Sequence, residues 1–441
     1  MPPAPPVRLT CEDLLDAYHG YGRPRERWLL GAEMERHLLD AQGMPAPYEG
    51  AHGVRSLIED FVREGWRPER EGTALIAATR GKASITLEPG AQFELSGAPA
   101  RDVATIVAEA EAFARDLDRH LQAGPYAQCA LGYTPYAPIE AIGWVPKGRY
   151  AIMRAHMQRV GSLGHHMMKG TSATQASYDF SDEHDCARKV RVASAAAPIV
   201  TAMFASSPYR RGRATGFKSF RGLTWTDTDA SRTGFPPAAL AYSHAAWVDY
   251  LLDVPMMFTK VDGRWAAADG RTFRDWMTRG DADGRFPTWG DWDLHLTSVF
   301  PEVRVKRQIE VRMADCVAMP LVAAFCALFE GLFYCNLATH DALALLDPFT
   351  RFGTPQERFA VACRHGPAGM VGGRTLAWWG QQLVEAARAG LGRCAPDEVR
   401  WLDPLIALIG RGLCPADLML AELGTEPDPE ALRAWTHPLA G

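Results

Sequence analysis

Between Ser84 and Gly97 the chain reads SITLEPGAQFELSG, with Ile85, Leu87, Phe93 and Leu95 at every second position on either side of a Pro-Gly step. Period-two alternation predicts β-strand, because successive side chains of an extended chain point to opposite faces. Glu88 and Glu94 have the same parity, so on a continuous pleat they stand on one face. A water-facing side of an antiparallel sheet tolerates that arrangement. A buried side does not, unless the charges are paired or metal-bound. Two other stretches repeat the pattern: GAEMERH sets Glu33 and Glu35 two apart, and RQIEVRMAD does the same for Glu310 and Arg312. Carboxylates gathered on the inward face of one sheet suit a hard cation such as Mg2+, which takes oxygen ligands from acids and substrate phosphates together. An arginine beside them suits a phosphoryl group in transfer.

The 441 residues carry 47 basic and 52 acidic side chains, a formal charge of -5. So even a balance excludes the basic footprint of a nucleic-acid binder. The most apolar stretch, MPLVAAFCALFEGLFYC, contains Glu330 and is shorter than the roughly 20 residues a membrane span needs. It predicts a buried helix and no membrane association. Nine scattered cysteines without zinc spacing predict reduced thiols and a cytoplasmic protein. Residues 1–8 read as a Pro-rich tail, and the opening MPPAPPVRLTCEDLL lacks the pattern of a secretory signal. GRATGFKS misses the P-loop spacing, and neither GxGxxG nor HExxH occurs.

Helical spacing marks CEDLLDAY, VRSLIEDFVREGW, RDVATIVAEAEAFARDLDRHLQ and DEHDCARKVRVASAAAPIVTAMFASS. TALIAATRG and SITLEPGAQFELSG predict a hairpin joined at Arg80-Gly81-Lys82, PMMFTKVDGRW predicts another turning at Asp-Gly, and EVRVKRQIEVRMAD reads as one strand. Beyond about Ala314 the pattern is almost wholly helical. Strands and helices mix without a βαβα rhythm, which predicts an α+β fold on an antiparallel sheet.

EMERH, ITLEPGAQFELSGAP, GRYAIMRAHMQRVGSLG, GFKSFRGLTWTDTDASRTG, DVPMMF and HLTSVFPEVRVKRQIEVRMAD together resemble the plant-type group of glutamate–cysteine ligases, which also occurs in bacteria. The resemblance runs from about Gly31 to Asp315. It implies a glutamine synthetase-like fold, a curved antiparallel sheet forming a funnel flanked by helices, with a ligase core over residues 1–338 and a helical part over 339–441 packed on it. It implies ATP- and Mg2+-dependent synthesis of γ-glutamylcysteine through a γ-glutamyl phosphate, as a first step towards glutathione or a related thiol. Residue by residue, it implies metal ligation by Glu33, Glu35, Glu88, Glu94 and Glu310. Catalytic roles fall on Glu310 and Arg312. Substrate contacts fall on Arg154, Arg221, Gln175 and Trp225, and nucleotide contacts on Arg232 and Arg312. Its partners would be glutamate, ATP and cysteine or another amine, acting on a monomer or weak homodimer. The stretch MMKGTSATQASYDF departs from the family pattern at Gly170, Ser172 and Ser177, with Lys169 as a replacement charge. Those departures keep open an acceptor other than cysteine; a non-catalytic binding protein on the same scaffold is the remaining alternative.

Overall fold

The computed structural model describes residues 8–439; the Pro-rich tail expected over residues 1–8 lies outside the described residues, Arg8 excepted. Its centre is a nine-stranded sheet: β1 (Leu30–Leu39), β2 (Arg67–Glu71), β3 (Ala74–Arg80), β4 (Ala83–Leu87), β5 (Phe93–Ser96), β6 (Ala127–Cys129), β7 (Ala173–Tyr178), β8 (Val303–Val305) and β9 (Ile309–Asp315). The order is β8-β9-β7-β1-β5-β4-β3-β2, with β6 added beside the end of β1. Each neighbouring pair is antiparallel. The class is the α+β antiparallel arrangement expected from the chain.

Two sequence-based boundaries are corrected. SITLEPGAQFELSG is two strands folded back on each other, because the Pro-Gly step closes a turn. The Glu88 N–H donates to Gln92 O at 3.0 Å, and Ala91 takes φ 69°. Gly90 is required there, since a Cβ would sit 2.5 Å from the Lys169 carbonyl oxygen. EVRVKRQIEVRMAD likewise breaks into β8 and β9, at a turn in which the Lys306 N–H donates to Gln308 O. The hairpins β3–β4, at Gly81, and Phe258–Val261 with Arg264–Ala267, at Asp262-Gly263, form as the sequence predicts.

One face of the sheet is apolar. Met34, Ile85, Phe93, Leu95, Tyr178 and Val311 are buried on it. Phe93 meets Phe61 of helix Val54–Arg63 and Phe113 of helix Val103–Leu121. Tyr178 packs on Phe329 and Phe333 of helix Met319–Phe333 and donates to Cys326 O at 2.8 Å. That helix is the apolar stretch foreseen as buried. Among the described residues no single helix is long and apolar enough to cross a membrane.

The opposite face carries the polar residues of the same strands. A register shift between Val311 and Ala314 changes which residues of β9 reach it. Glu310 is level with Ser177, yet Asp315 is level with Ala173, five residues on against four. The extra residue of this β-bulge returns Asp315 to the polar face. At the far side of the molecule, helix Leu376–Cys394 lies backbone to backbone on helix Met319–Phe333. A Cβ at Gly390 would come within 2.1 Å of Gly331 O, so no larger residue fits.

Candidate active site

Residues directly opposed in an antiparallel pair share a face. Glu33 of β1 stands opposite Gln175 of β7 and Ser96 of β5, and Glu35 stands opposite Glu94. Glu94 is level with Thr86 of β4, and Glu310 with Ser177. The polar face of β9, β7, β1 and β5 therefore presents Glu310, Arg312, Gln175, Glu33, Glu35 and Glu94 together. Glu88 follows β4 in the tight turn and retains the parity of Thr86, so the shared face foreseen for Glu88 and Glu94 survives the chain reversal. Glu94 accepts from Thr86 Oγ1 at 3.0 Å and Ser96 Oγ at 2.9 Å. Glu35 accepts the Ala173 N–H at 2.8 Å.

These acids do not share one electrostatic state. Burial, then repulsion from Glu94 and Glu310, pushes Glu33 up to about 7. Burial with Glu88 and Glu94 nearby holds Glu35 well above the usual carboxylate range. Burial and Glu88 also raise Glu94. Glu310 is opposite in sign: burial works against its charge, but Arg304, Lys306 and Arg312 outweigh burial and hold it well below the ordinary range. Arg304 grips it in a fork, with Nε–Oε2 3.0 Å and Nη2–Oε1 2.8 Å. Arg312 bonds both Glu310 and the side-chain oxygen of Gln175. Among the described residues, no three His, Cys, Asp or Glu side chains converge into a ready-made ligand cluster.

Arg221, on helix Phe220–Trp225, is buried; it donates to Arg312 O at 2.9 Å and faces Asp315 at 4.0 Å. Its Nε is buried without a partner. Asp315 is fixed by Ser206 N–H, Ser207 Oγ and Ser219 Oγ. Trp225 is half-buried against Phe300, and its Nε1 has no partner either.

Other expected residues are not brought to this face. Arg154 is exposed on helix Gly148–Val160, its guanidinium 5.0 Å from the Trp144 ring. Arg149, at the start of the same helix, is the arginine that interacts with Glu88 and Glu94, beside buried Lys147. Arg232 has no exposed surface to offer a phosphate. Asp229 holds its Nε at 2.6 Å, and Pro255 and Ser298 carbonyls take its other nitrogens. Asp229 also meets His156 at 2.7 Å, while Asp227 bonds Ser162, so the WTDTD segment fastens the loop after the helix bearing Arg149. Lys169 donates to Ile142 O and lies over Trp144, away from the acids. Of the three departures, Ser177 alone occupies the acid face. A Cβ at Gly170 would come within 2.6 Å of the Tyr133 ring, and Ser172 lies buried just before β7.

Two cavities adjoin the polar face, the first beside Glu33 and the second reaching it only at Glu302. One of about 270 Å³ is bounded by Gly31, Glu33, Lys82, Ser96 and Ser177. The other, about 630 Å³, is mostly apolar, with Leu223, Trp225, Phe235, Tyr250 and Phe359 on its walls and Glu302 among them. Sequence reading missed Arg149, Lys147, Arg304, Lys306, Glu302 and Asp315. The alternation of VRVKR, which gives Arg304 and Lys306 the parity of Glu310 across the hairpin, was a usable signal for two of them.

A family profile described as glutamate-cysteine ligase family 2 matches residues 29–437. The chloroplastic glutamate–cysteine ligase of Brassica juncea is 36% identical over 435 residues, covering 96% of this chain and 83% of the relative. The chloroplastic glutamate–cysteine ligase B of Oryza sativa subsp. japonica is 34% identical over 424 residues, 93% and 84% of the two chains. The crystal structure of the Francisella tularensis glutamate–cysteine ligase in complex with AMP superposes with a TM-score of 0.54 at 11% identity, over 93% of this chain and 87% of that one. That likeness speaks for the fold. The cytoplasmic expectation is set aside: the plant relatives are, by name, chloroplastic. Free thiols at all nine cysteines fit any reducing compartment and do not single out the cytosol.

Proposed function

The chain belongs to glutamate–cysteine ligase family 2, and on that premise we propose that it joins the γ-carboxylate of glutamate to the amine of cysteine, driven by ATP through a γ-glutamyl phosphate. The observation that carries this reading is the acid face itself. Glu33, Glu35 and Glu94 are raised by burial and mutual repulsion, as expected of acids arranged for cations that the protein's own side chains do not supply. The donor set fits Mg2+, which keeps waters and phosphate oxygens and needs only one or two carboxylates per ion, not a closed protein cage. Glu33, Glu35, Glu88 and Glu94 would hold it; Glu310, expected among the ligands, has both oxygens taken by Arg304 and Arg312 and instead fixes Arg312. When bound, Mg2+ offsets the charge of the triphosphate.

The chain's own groups supply the rest. A γ-carboxylate oxygen of glutamate bonds to the γ-phosphorus of ATP, the bond to ADP breaks, and ADP leaves with its electron pair. Arg312, fixed by Gln175 and Glu310, presents its guanidinium to the transferring group. Arg221, with its buried unpaired Nε, and Arg149 suit the carboxylates of glutamate, for which a planar fork is better matched than an ammonium. The acceptor nitrogen then bonds to the acyl carbon, and phosphate departs. Residues 1–338 would form this catalytic unit and residues 339–441 its helical support.

A second acceptor remains a specific alternative, because Ser177 stands on the acid face level with Glu310. ADP release by the purified protein decides between them. Release requiring Mg2+, glutamate and an amine together, with γ-glutamylcysteine in the mass spectrum, is expected. Preference for another amine keeps the ligase chemistry and moves the acceptor; no turnover with any amine favours a non-catalytic binding protein.

A further inference from the structure

The larger cavity meets the reacting face at one residue. Glu302 precedes β8 and continues its pairing with β9: Val303 is level with Val311, and the Arg312 N–H donates to Glu302 O at 3.0 Å. A second bond, Glu302 N–H to Gly234 O at 3.0 Å, fixes the backbone from the other side. The Glu302 side chain is 6% exposed and lies in the wall of the 630 Å³ cavity. Among the described residues its carboxylate oxygens accept no hydrogen bond. Arg312, directly across the hairpin, spends its side chain on Glu310 and Gln175 instead. The Glu302 oxygens open on the cavity, so what fills the cavity, water or a ligand, completes them. Most of the wall around it is aromatic and aliphatic, with Ser231, Thr233, Gln356 and Glu357 among its polar members, so the complementary ligand has a cationic or hydrogen-bonding nitrogen and a small apolar or sulfur-bearing body.

We infer that Glu302 is the carboxylate on which the ammonium of the incoming acceptor docks and to which it gives up a proton, and that the apolar cavity holds the acceptor's side chain. This rests on the ligase reading above. The step balances. The ammonium proton passes to a Glu302 oxygen, leaving a neutral amine and a carboxylic acid. The freed lone pair forms the C–N bond at the acyl carbon. The carbon–oxygen bond to phosphate breaks and phosphate leaves with that electron pair, and the second nitrogen proton goes to the departing phosphate.

The surroundings agree with that task. Four groups face Glu302: Arg221 from its helix, Arg312 and Asp315 from β9, and Cys363 from helix Pro355–His365. Burial outweighs the two arginines, Asp315 adds to it, and the carboxyl is pushed up to about 7. A proton acceptor works best with an affinity near the operating pH.

The test uses the full-length protein with Mg2+, ATP and glutamate, and two acceptors. Cysteine arrives as an ammonium and needs a base. Hydroxylamine is uncharged near neutral pH, needs none, and has no side chain. Glu302→Gln is expected to lower cysteine-dependent kcat/KM by about 100-fold or more while hydroxamate formation stays within a few-fold of wild type. The wild-type rise of cysteine kcat/KM with pH near 7 should vanish in the variant. Ala360→Phe, filling the cavity from its exposed wall, is expected to raise the KM for cysteine and spare hydroxylamine, giving a second reading should Glu302→Gln fold poorly. Equal loss with both amines, or cysteine turnover within a few-fold of wild type, overturns the inference while leaving the ligase reading intact. Failure of the wild type to form product with either amine overturns both.

Discussion

Glu35 and Glu94 stand directly opposite each other in the register of β1 and β5, two buried carboxylates on one face. Like charges in that position destabilise a sheet, and here burial sharpens the conflict. On the proposed reading, stability is exchanged for a place to hold cations.

Replacing Glu35 by Gln should therefore raise the melting temperature in EDTA and abolish turnover. Removing one member of the pair lifts a repulsion worth up to about 1 kcal/mol, and it also removes a metal oxygen. Thermal melts and ADP release on the same preparation read both effects. Lower stability in EDTA with activity retained would contradict the assignment.

Glu310 should behave in the opposite way. Its carboxylate neutralises Arg304 and Arg312 in a buried setting, so Glu310→Ala leaves cations unpaired, a loss of about 3–5 kcal/mol. Turnover and fold should both suffer. Glu88→Ala, in the turn, should lose turnover with little change in melting temperature. Comparable melts for the two variants would show that the Arg304 fork carries no weight.

The pH dependence of stability follows from the same shifts. Glu33, raised from 4.5 to about 7, binds its proton more tightly folded than unfolded. Between those two values the native state holds the extra proton, so stability falls as pH rises through that window. Glu35 and Glu94 act in the same direction. Glu310 is held low, so its contribution is present above 4.5 and lost as pH falls further. His37, His166 and His295, each pushed down by burial to about 4, pull the other way over much of the same window, so the readout is the difference between two proteins: without metal, the wild type should lose melting temperature relative to Glu33→Gln as pH rises through the window. A wild-type melting temperature that does not fall relative to that of Glu33→Gln from pH 5 to 7 without metal would refute this account.

Mg2+ with ATP should stabilise the protein and EDTA should remove the effect. Binding to the native state alone contributes about 2.7 kcal/mol at about a hundredfold excess over Kd. The absence of any shift at millimolar Mg2+-ATP would count against the acid face as a nucleotide site.

Two arginines on one helix provide a sharper comparison. Arg149 interacts with Glu88 and Glu94, whereas Arg154 stacks on Trp144 in the open. Arg149→Ala should raise the KM for glutamate at least tenfold and Arg154→Ala by less than about threefold, the span of roughly one hydrogen bond to a charged group. The reverse ranking in initial-rate assays would place the glutamate carboxylates elsewhere.

The acid face was legible because strand parity is local. Spacing alone set Glu33 beside Glu35 and Glu310 beside Arg312, and parity outlived the mistaken continuity of SITLEPGAQFELSG. What escaped depended on distant partners. Ala91 at φ 69° closes its turn under Lys169, far along the chain. Arg232 shares a motif with Trp225, yet its buried bonds run to Pro255 and Ser298, which no spacing announces. Glu302 carried no signal of its own, since its meaning arises from helices Phe220–Trp225 and Pro355–His365 closing over it.

The extra residue in β9 makes the bulge itself, not the count of residues, the feature that serves Asp315. Substituting Met313 perturbs packing on one side. Deleting it would leave Asp315 four residues from Glu310, as Ala173 is from Ser177, so a straight ladder would still set Asp315 on the polar face beside Arg221, Ser206, Ser207 and Ser219. A one-residue gap between Val311 and Asp315 in a homologous chain is thus compatible with an unchanged pocket floor, whereas a strand ironed flat at full length would turn the aspartate into the apolar layer and leave those groups without their acceptor.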